Sequence, residues 1–180
     1  MKKVYLLFIF ISFIGFSQEK YLTKTGLLNF EASVPSFEEI RATNTNVTAI
    51  FNVGTGQFAT LALVRGFRFK NALMEEHFNE SYAESDSYPK AIFKGKLIGY
   101  TENNTLGSYP IKGTLSFHGV TKNIQNVIVQ IINLENKLTF KGAFELNPKE
   151  FDVEIPKIVS SKIAETVAVL FEFDMKIKSD

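Results

Sequence analysis

The sequence predicts an all-β fold, an antiparallel sheet of sequential hairpins that curves on itself. Three observations carry this. Stretch after stretch of the chain alternates apolar and polar residues with a period of two, the signature of strands with one face on a common interior. The links between these stretches are short and rich in Gly and Asn, as hairpins require. Glycines recur on the inward faces, where they weaken a strand and so need a structural reason, a bend or interior space. About eight such strands can close into a barrel, which removes exposed edges and leaves room for one ligand. A filled β-sandwich satisfies the same periodicity, with the glycines as bends only.

Taken in order, strands are expected at Leu27–Val34, Ile40–Val53 and Gln57–Val64, the last two joined by the turn "VGTGQ". The stretch "NALMEEHFNESY" changes period. Met74, Phe78 and Tyr82 recur every four residues and form one apolar edge, while Asn71 can cap the start with Glu75 and Glu76 near the positive end. This predicts a short amphipathic helix against one end of the barrel. "KAIFKGKLIGY" then sets Ala91, Phe93, Gly95, Leu97 and Gly99 on one face. After the loop "ENNTLG", "YPIKGTLSFH" aligns Tyr109, Ile111, Gly113, Leu115 and Phe117, and a turn at His118–Gly119 leads to a strand at Ile124–Leu134. The link "ENK" leads to "KLTFKGAFEL", with Leu138, Phe140, Gly142, Phe144 and Leu146 inward. The loop "IPKIVSSK" precedes "ETVAVLFEFDMKIK", which aligns Val167, Val169, Phe171, Phe173, Met175 and Ile177.

The N-terminus, "MKKVYLLFIFISFIGFS", places Lys2 and Lys3 before an apolar run from Val4 to Phe16, with Gly15 and Ser17 at −3 and −1 of a cut before Gln18. This is the pattern of a secretory signal peptide over residues 1–17. The run is shorter than the roughly 20 residues of a membrane span. No Cys follows it to carry a lipid, and the whole chain has none. Residues 18–180 are expected to form a single domain, large enough to bury a core without disulfides. Export without cysteines fits the bacterial periplasm. Without Lys2 and Lys3 the basic side chains fall one short of the 19 acidic ones, so the mature chain has no broad field for nucleic acid or an anionic surface.

Chemistry finds little support. "LMEEHFNESYAES" surrounds His77 with Glu75, Glu76, Glu80 and Glu84, but two His and no Cys are too few for a typical zinc site, and H-E-x-x-H is absent. No G-x-S-x-G or phosphate loop occurs. His77 and His118 are the only histidines available as a base, and His77 is expected to order its turn by hydrogen bonds. No cofactor is expected. The remaining candidates are the inward side chains Phe93, Leu97, Ile111, Leu115, Phe117, Phe140, Phe144, Val169, Phe171 and Phe173. Each is either part of a dry core or the wall of a pocket for an apolar molecule. Arg65, Arg68 and Lys70 are candidates to meet a headgroup at the mouth, or ordinary solvated charges.

"LMEEHFNESYAESDSYPKAIFKGKLIG" followed by "YPIKGTLSFHGVTKNI" resembles the YceI-like family, the lipocalin-fold polyisoprenoid-binding proteins. The resemblance lies in the blocks His77–Glu80, Tyr88–Phe93 and Gly113–Lys122. "ALMEEHFNE" is closer to the branch associated with Bacteroidetes-type envelopes. The resemblance implies an antiparallel eight-stranded lipocalin-like barrel with a short helix, a periplasmic address, and non-catalytic binding of a long isoprenoid or other lipid in an apolar tunnel. "FEEIRATNTNVTAIFNV" departs from the family's commoner opening, which bears on the ligand and the tunnel mouth. The alternative expectation is an envelope stress or protein-interaction module with a filled barrel. Apolar rims often pair, so a homodimer is also an expectation.

Overall fold

A computed structural model describes residues 19–35, 37–134 and 137–178. The stretch read as a signal peptide lies outside them, as do Glu135 and Asn136 of the "ENK" link. Nine strands form one antiparallel sheet: β1 (Lys20–Ser33), β2 (Arg41–Asn52), β3 (Gln57–Leu63), β4 (Arg68–Phe69), β5 (Lys90–Leu97), β6 (Gly107–Phe117), β7 (Val120–Leu134), β8 (Lys137–Leu146) and β9 (Ile163–Ile177). β1 pairs with both β2 and β9, so the sheet closes. The two-residue β4 only adds to β2, at Ala42 and Thr43. The closed barrel therefore has eight strands and a short helix, α1 (Ala72–His77), so barrel and not sandwich is the outcome. A second short helix, α2 (Lys157–Ser160), lies before β9.

The up-and-down connectivity sends alternate links to opposite ends. Segments 34–35 with 37–40, 64–89, 118–119 and 147–162 gather at one end; 53–56 and 98–106 gather at the other, where β7 ends and β8 begins.

Three strands run longer than the alternation suggests, because bulges interrupt the period. β1 begins at Lys20, and irregularities between Thr23 and Leu28 shift its register with β2. β7 begins at Val120, and its register with β6 shifts between the Gly113–Ile124 and Ile111–Val127 pairs. Asn126 sits in this irregularity with φ 65°, a conformation that Asn tolerates better than most residues. The extra residue lets Ile124 and the out-of-phase series Val127, Val129 and Ile131 all contribute to the core. β9 starts at Ile163, where it pairs with Ser33.

Inward glycines serve neither expectation alone. Gly95 and Gly113 face each other across β5 and β6, and a Cβ on Gly95 would come within 2.6 Å of Phe93 Cζ and of the Lys112 carbonyl oxygen. Phe171 likewise lies over Gly142, and Phe173 over Gly26. At each of these positions an inward Phe ring occupies the space a Cβ would need.

Candidate functional site

The two ends of the barrel differ. Toward the end formed by 53–56 and 98–106 the interior is solid. Phe140 is fully buried, with ring centroids 4.9 Å from Phe51 and 5.2 Å from Phe58, the latter nearly parallel. Tyr100 and Tyr109 meet edge to face at 5.6 Å. Tyr100 donates its hydroxyl hydrogen bond to the Val53 carbonyl (2.8 Å), and Tyr109 donates to the Asn104 carbonyl. These bonds satisfy the phenols while their rings cover the plug.

Above this plug lies a cavity of about 490 Å³. Its lower wall includes Phe58, Ile111, Val129 and Phe173, and its upper wall includes Phe30, Phe67, Phe78, Phe117 and Phe151. Phe58 lines the cavity while Phe140, stacked against it, does not. The plug makes the cavity blind at that end. Among the described lining residues the polar side chains are Thr60, Tyr82, Glu38, His77 and Lys162, and the last three are exposed, all on links at the opposite end. That end is the mouth.

Eight of the sequence candidates line this cavity: Phe93, Ile111, Leu115, Phe117, Phe144, Val169, Phe171 and Phe173. Leu97 and Phe140 do not; both are buried in the core cluster outside the cavity lining. They share the inward face with the rest, but their depth along the barrel places them in filled cross-sections. Lining residues that alternation did not single out include Phe67 and Phe69, Phe151 and Val153, and the bulge-phased Val127 and Val129. The "GFRFK" alternation was a signal for the first pair. Phe151 comes from a 3₁₀ turn (Pro148–Phe151), where no strand period exists to read.

The helix caps the mouth. Asn71 Oδ1 accepts from the backbone N–H of Leu73 (2.9 Å) and Met74 (3.4 Å), an N-cap that starts α1 where the sequence placed it. The helix continues as a π turn over Phe78–Tyr82, closed by Ala83 N–H on the Phe78 carbonyl at 2.8 Å. Phe78 packs against Phe30, Phe67 and Phe69 at 5.2–5.9 Å. Met74, Phe78 and Tyr82 all line the cavity. His77 departs from expectation. Its side chain is exposed at the mouth and has no hydrogen-bond partner among the described residues.

His118 takes the ordering role instead. It is buried, in the β6–β7 turn at φ 50°. Its Nδ1 lies 2.9 Å from the Phe151 carbonyl oxygen; that oxygen only accepts, so Nδ1 carries the hydrogen. Nε2 lies 2.8 Å from a Glu84 carboxylate oxygen, an ion pair whenever the ring is protonated. The ring thus ties the 3₁₀ turn and the end of the helical segment to one hairpin, and Tyr88 packs edge-on at 4.5 Å.

The headgroup candidates fare differently again. Arg65 pairs with Asp86 (2.5 Å) and Arg68 with Glu75 (3.0 Å), and neither they nor Lys70 line the cavity. Among the described residues lining the cavity, the Lys or Arg is Lys162. No group of three or more His, Cys, Asp or Glu among the described residues is placed to hold a metal ion.

Residues 18–175 match the YceI-like domain. The chain belongs to the YceI-like family. Solved structures share the fold. A polyisoprenoid binding domain from Saccharophagus degradans, implicated in plant cell wall breakdown, is 14% identical with a TM-score of 0.75, over 89% of this chain and 99% of that one. Burkholderia cenocepacia BcnA is 16% identical with a TM-score of 0.69, over 86% and 96%. The Campylobacter jejuni YCEI protein is 14% identical with a TM-score of 0.64, over 99% and 100%. No curated protein matches the chain.

Proposed function

We propose that this YceI-like protein holds a long apolar lipid, a polyisoprenoid or a chain of similar character, in its blind cavity, and carries it in the periplasm. The observation that carries the reading is the cavity itself: about 490 Å³ walled almost entirely by Phe, Leu, Ile, Val and Ala, and open at one end. Such a site gains roughly 25 cal/mol for each Å² of apolar surface it dries, without needing a strong polar contact. The similarity in fold to a protein described as a polyisoprenoid binding domain supports the same class of cargo. A blind end means that the apolar terminus enters first. A polar headgroup then stays among Lys162, His77 and Glu38 at the mouth. The ligand-binding set is Phe93, Ile111, Leu115, Phe117, Phe144, Val169, Phe171 and Phe173.

The periplasmic address follows from the signal-peptide pattern of residues 1–17, and 18–180 is the mature domain. The Bacteroidetes-like branch rests on "ALMEEHFNE" alone. The filled-barrel interaction module is disfavoured by the cavity, since only the plug half of the interior is solid. The test is mass spectrometry of organic extracts from protein purified without detergent, with uptake of an added polyprenol as the second arm. A bound lipid or stoichiometric uptake is expected. Repeated empty extracts together with no uptake would end the carrier reading.

A further inference from the structure

We infer that the mouth rim docks on a zwitterionic lipid bilayer, so that cargo passes between membrane and cavity without crossing water; this rests on the lipid-binding reading above. Three large apolar side chains stand out from the open end: Phe37 (48% exposed), Leu73 (56%) and Ile158 (86%). They come from three separate segments that are neighbours along the rim. Ser33 pairs with Ile163, which sets the α2 segment beside the 34–40 link. Asn71 Nδ2 donates to Glu38 Oε1 at 3.0 Å, which sets that link beside the start of α1. Phe37 is itself a lining residue, and Leu73 and Ile158 are the chain neighbours of the lining residues Met74 and Val159. Exposed apolar side chains therefore stand on the same segments that line the mouth.

Charge selects the kind of surface. On these segments Glu39 lies 3.4 Å from Arg41 and Glu75 is paired with Arg68. Over the mouth-end segments as a whole, ten Asp and Glu outnumber six Lys and Arg. A rim with this excess of acid is repelled by an anionic surface, which leaves a bilayer without net charge as the membrane it can meet. Lys157 and Lys162 flank α2 and can lay their stems along the apolar layer with their ammonium groups among the headgroups. Insertion of a few apolar side chains at this level is how interfacial elements hold a bilayer. A cargo that left the bilayer through water would expose its whole apolar surface; a seated mouth removes that step.

Flotation with phosphatidylcholine vesicles tests this, alongside uptake of the neutral dye N-phenyl-1-naphthylamine from water. The wild-type protein is expected to float with the vesicles. Leu73→Ser with Ile158→Ser, neither of which lines the cavity, is expected to cut the bound fraction about tenfold or more and to leave dye uptake unchanged. About 0.5 M NaCl should change binding by less than about twofold, because insertion is not screened. The closed end also exposes Ile98 and Leu106, so Ile98→Ser with Leu106→Ser is the control and should bind like wild type. Failure of the wild type to float overturns the docking surface, as does equal loss in the control pair. Binding confined to anionic vesicles and abolished by salt overturns it too. So does a protein dimer broken by the Leu73 and Ile158 changes in the absence of vesicle binding, which would make a second copy the occupant. Absence of dye uptake in the wild type counts against the cavity reading separately, whatever the flotation shows.

Discussion

Truncating Phe140 and truncating Phe144 are expected to have opposite signatures, although the two residues share one face of β8. Phe140 is fully buried and contacts both Phe51 and Phe58. Phe140→Ala opens a closed void where none existed, so the transfer and cavity losses add, at about 3–5 kcal/mol, with the lost ring pairs pushing toward the upper end. Phe144 lines an existing cavity, and its nearest ring is Phe171 at 6.4 Å. Phe144→Ala only widens that cavity. The cavity loss falls away and part of the transfer loss remains, about 1–2 kcal/mol. Urea unfolding followed by circular dichroism reads the difference. With a slope of about 2 kcal/mol per M, typical for a domain of this size, the midpoint should fall by about 2 M for Phe140→Ala and under about 1 M for Phe144→Ala. Dye binding should show the reverse order. Loss of one wall contact of about 1–2 kcal/mol weakens affinity about five- to thirtyfold for Phe144→Ala, and Phe140→Ala should bind undiminished. Equal stability losses, or a Phe140→Ala protein that loses dye as readily as Phe144→Ala, would refute the division of the barrel into plug and cavity.

His118→Phe leaves the Phe151 carbonyl without its donor and should cost about 2–3 kcal/mol, with faster hydrogen exchange over 147–153; Glu84→Gln, at a half-exposed partner, should cost under about 1 kcal/mol. An unchanged midpoint for His118→Phe would show that the turn is held by other contacts. Burial raises the Tyr100 phenol above its ordinary value of 10.0, against a smaller lowering by the Thr105 hydrogen bond. The folded state therefore favours the neutral phenol, and this contribution is complete below the unfolded value and lost as pH rises through the folded one. Urea midpoints measured from about pH 9 to 12 should fall, and less steeply in Tyr100→Phe; parallel curves would remove Tyr100 as a cause. Gly113→Ala would drive a Cβ to 2.6 Å from Gly95 Cα and should destabilise by about 1–3 kcal/mol or more. Gly99→Ala meets open space at φ +72° and should cost only about 1 kcal/mol of backbone strain. Similar losses in the two variants would show that strand spacing at Gly113 is easily relaxed.

The Asn71 cap and the Met74–Phe78–Tyr82 edge were legible because both depend on residues a few positions apart. The strands of "KLTFKGAFEL" and "YPIKGTLSFH" were legible for the same reason. β7 was legible only in part: its bulge at Asn126 reverses the inward phase between Ile124 and Val127, and alternation read as one unbroken period misses this. His118 shows the limit more sharply. Its partners, Phe151 and Glu84, sit on other links, and nothing local distinguishes its turn from an exposed one.

Period, turn chemistry and the YceI-like blocks, all properties of neighbouring residues, by themselves determined a closed antiparallel barrel with a short capping helix and an apolar interior. Only the tertiary structure decided where that interior is hollow. Void volume at any depth is what remains after side chains from all eight strands have met there. Strand stagger sets which ones meet, so Phe140 and Phe144, two steps apart on one face, end in a plug and in a cavity wall.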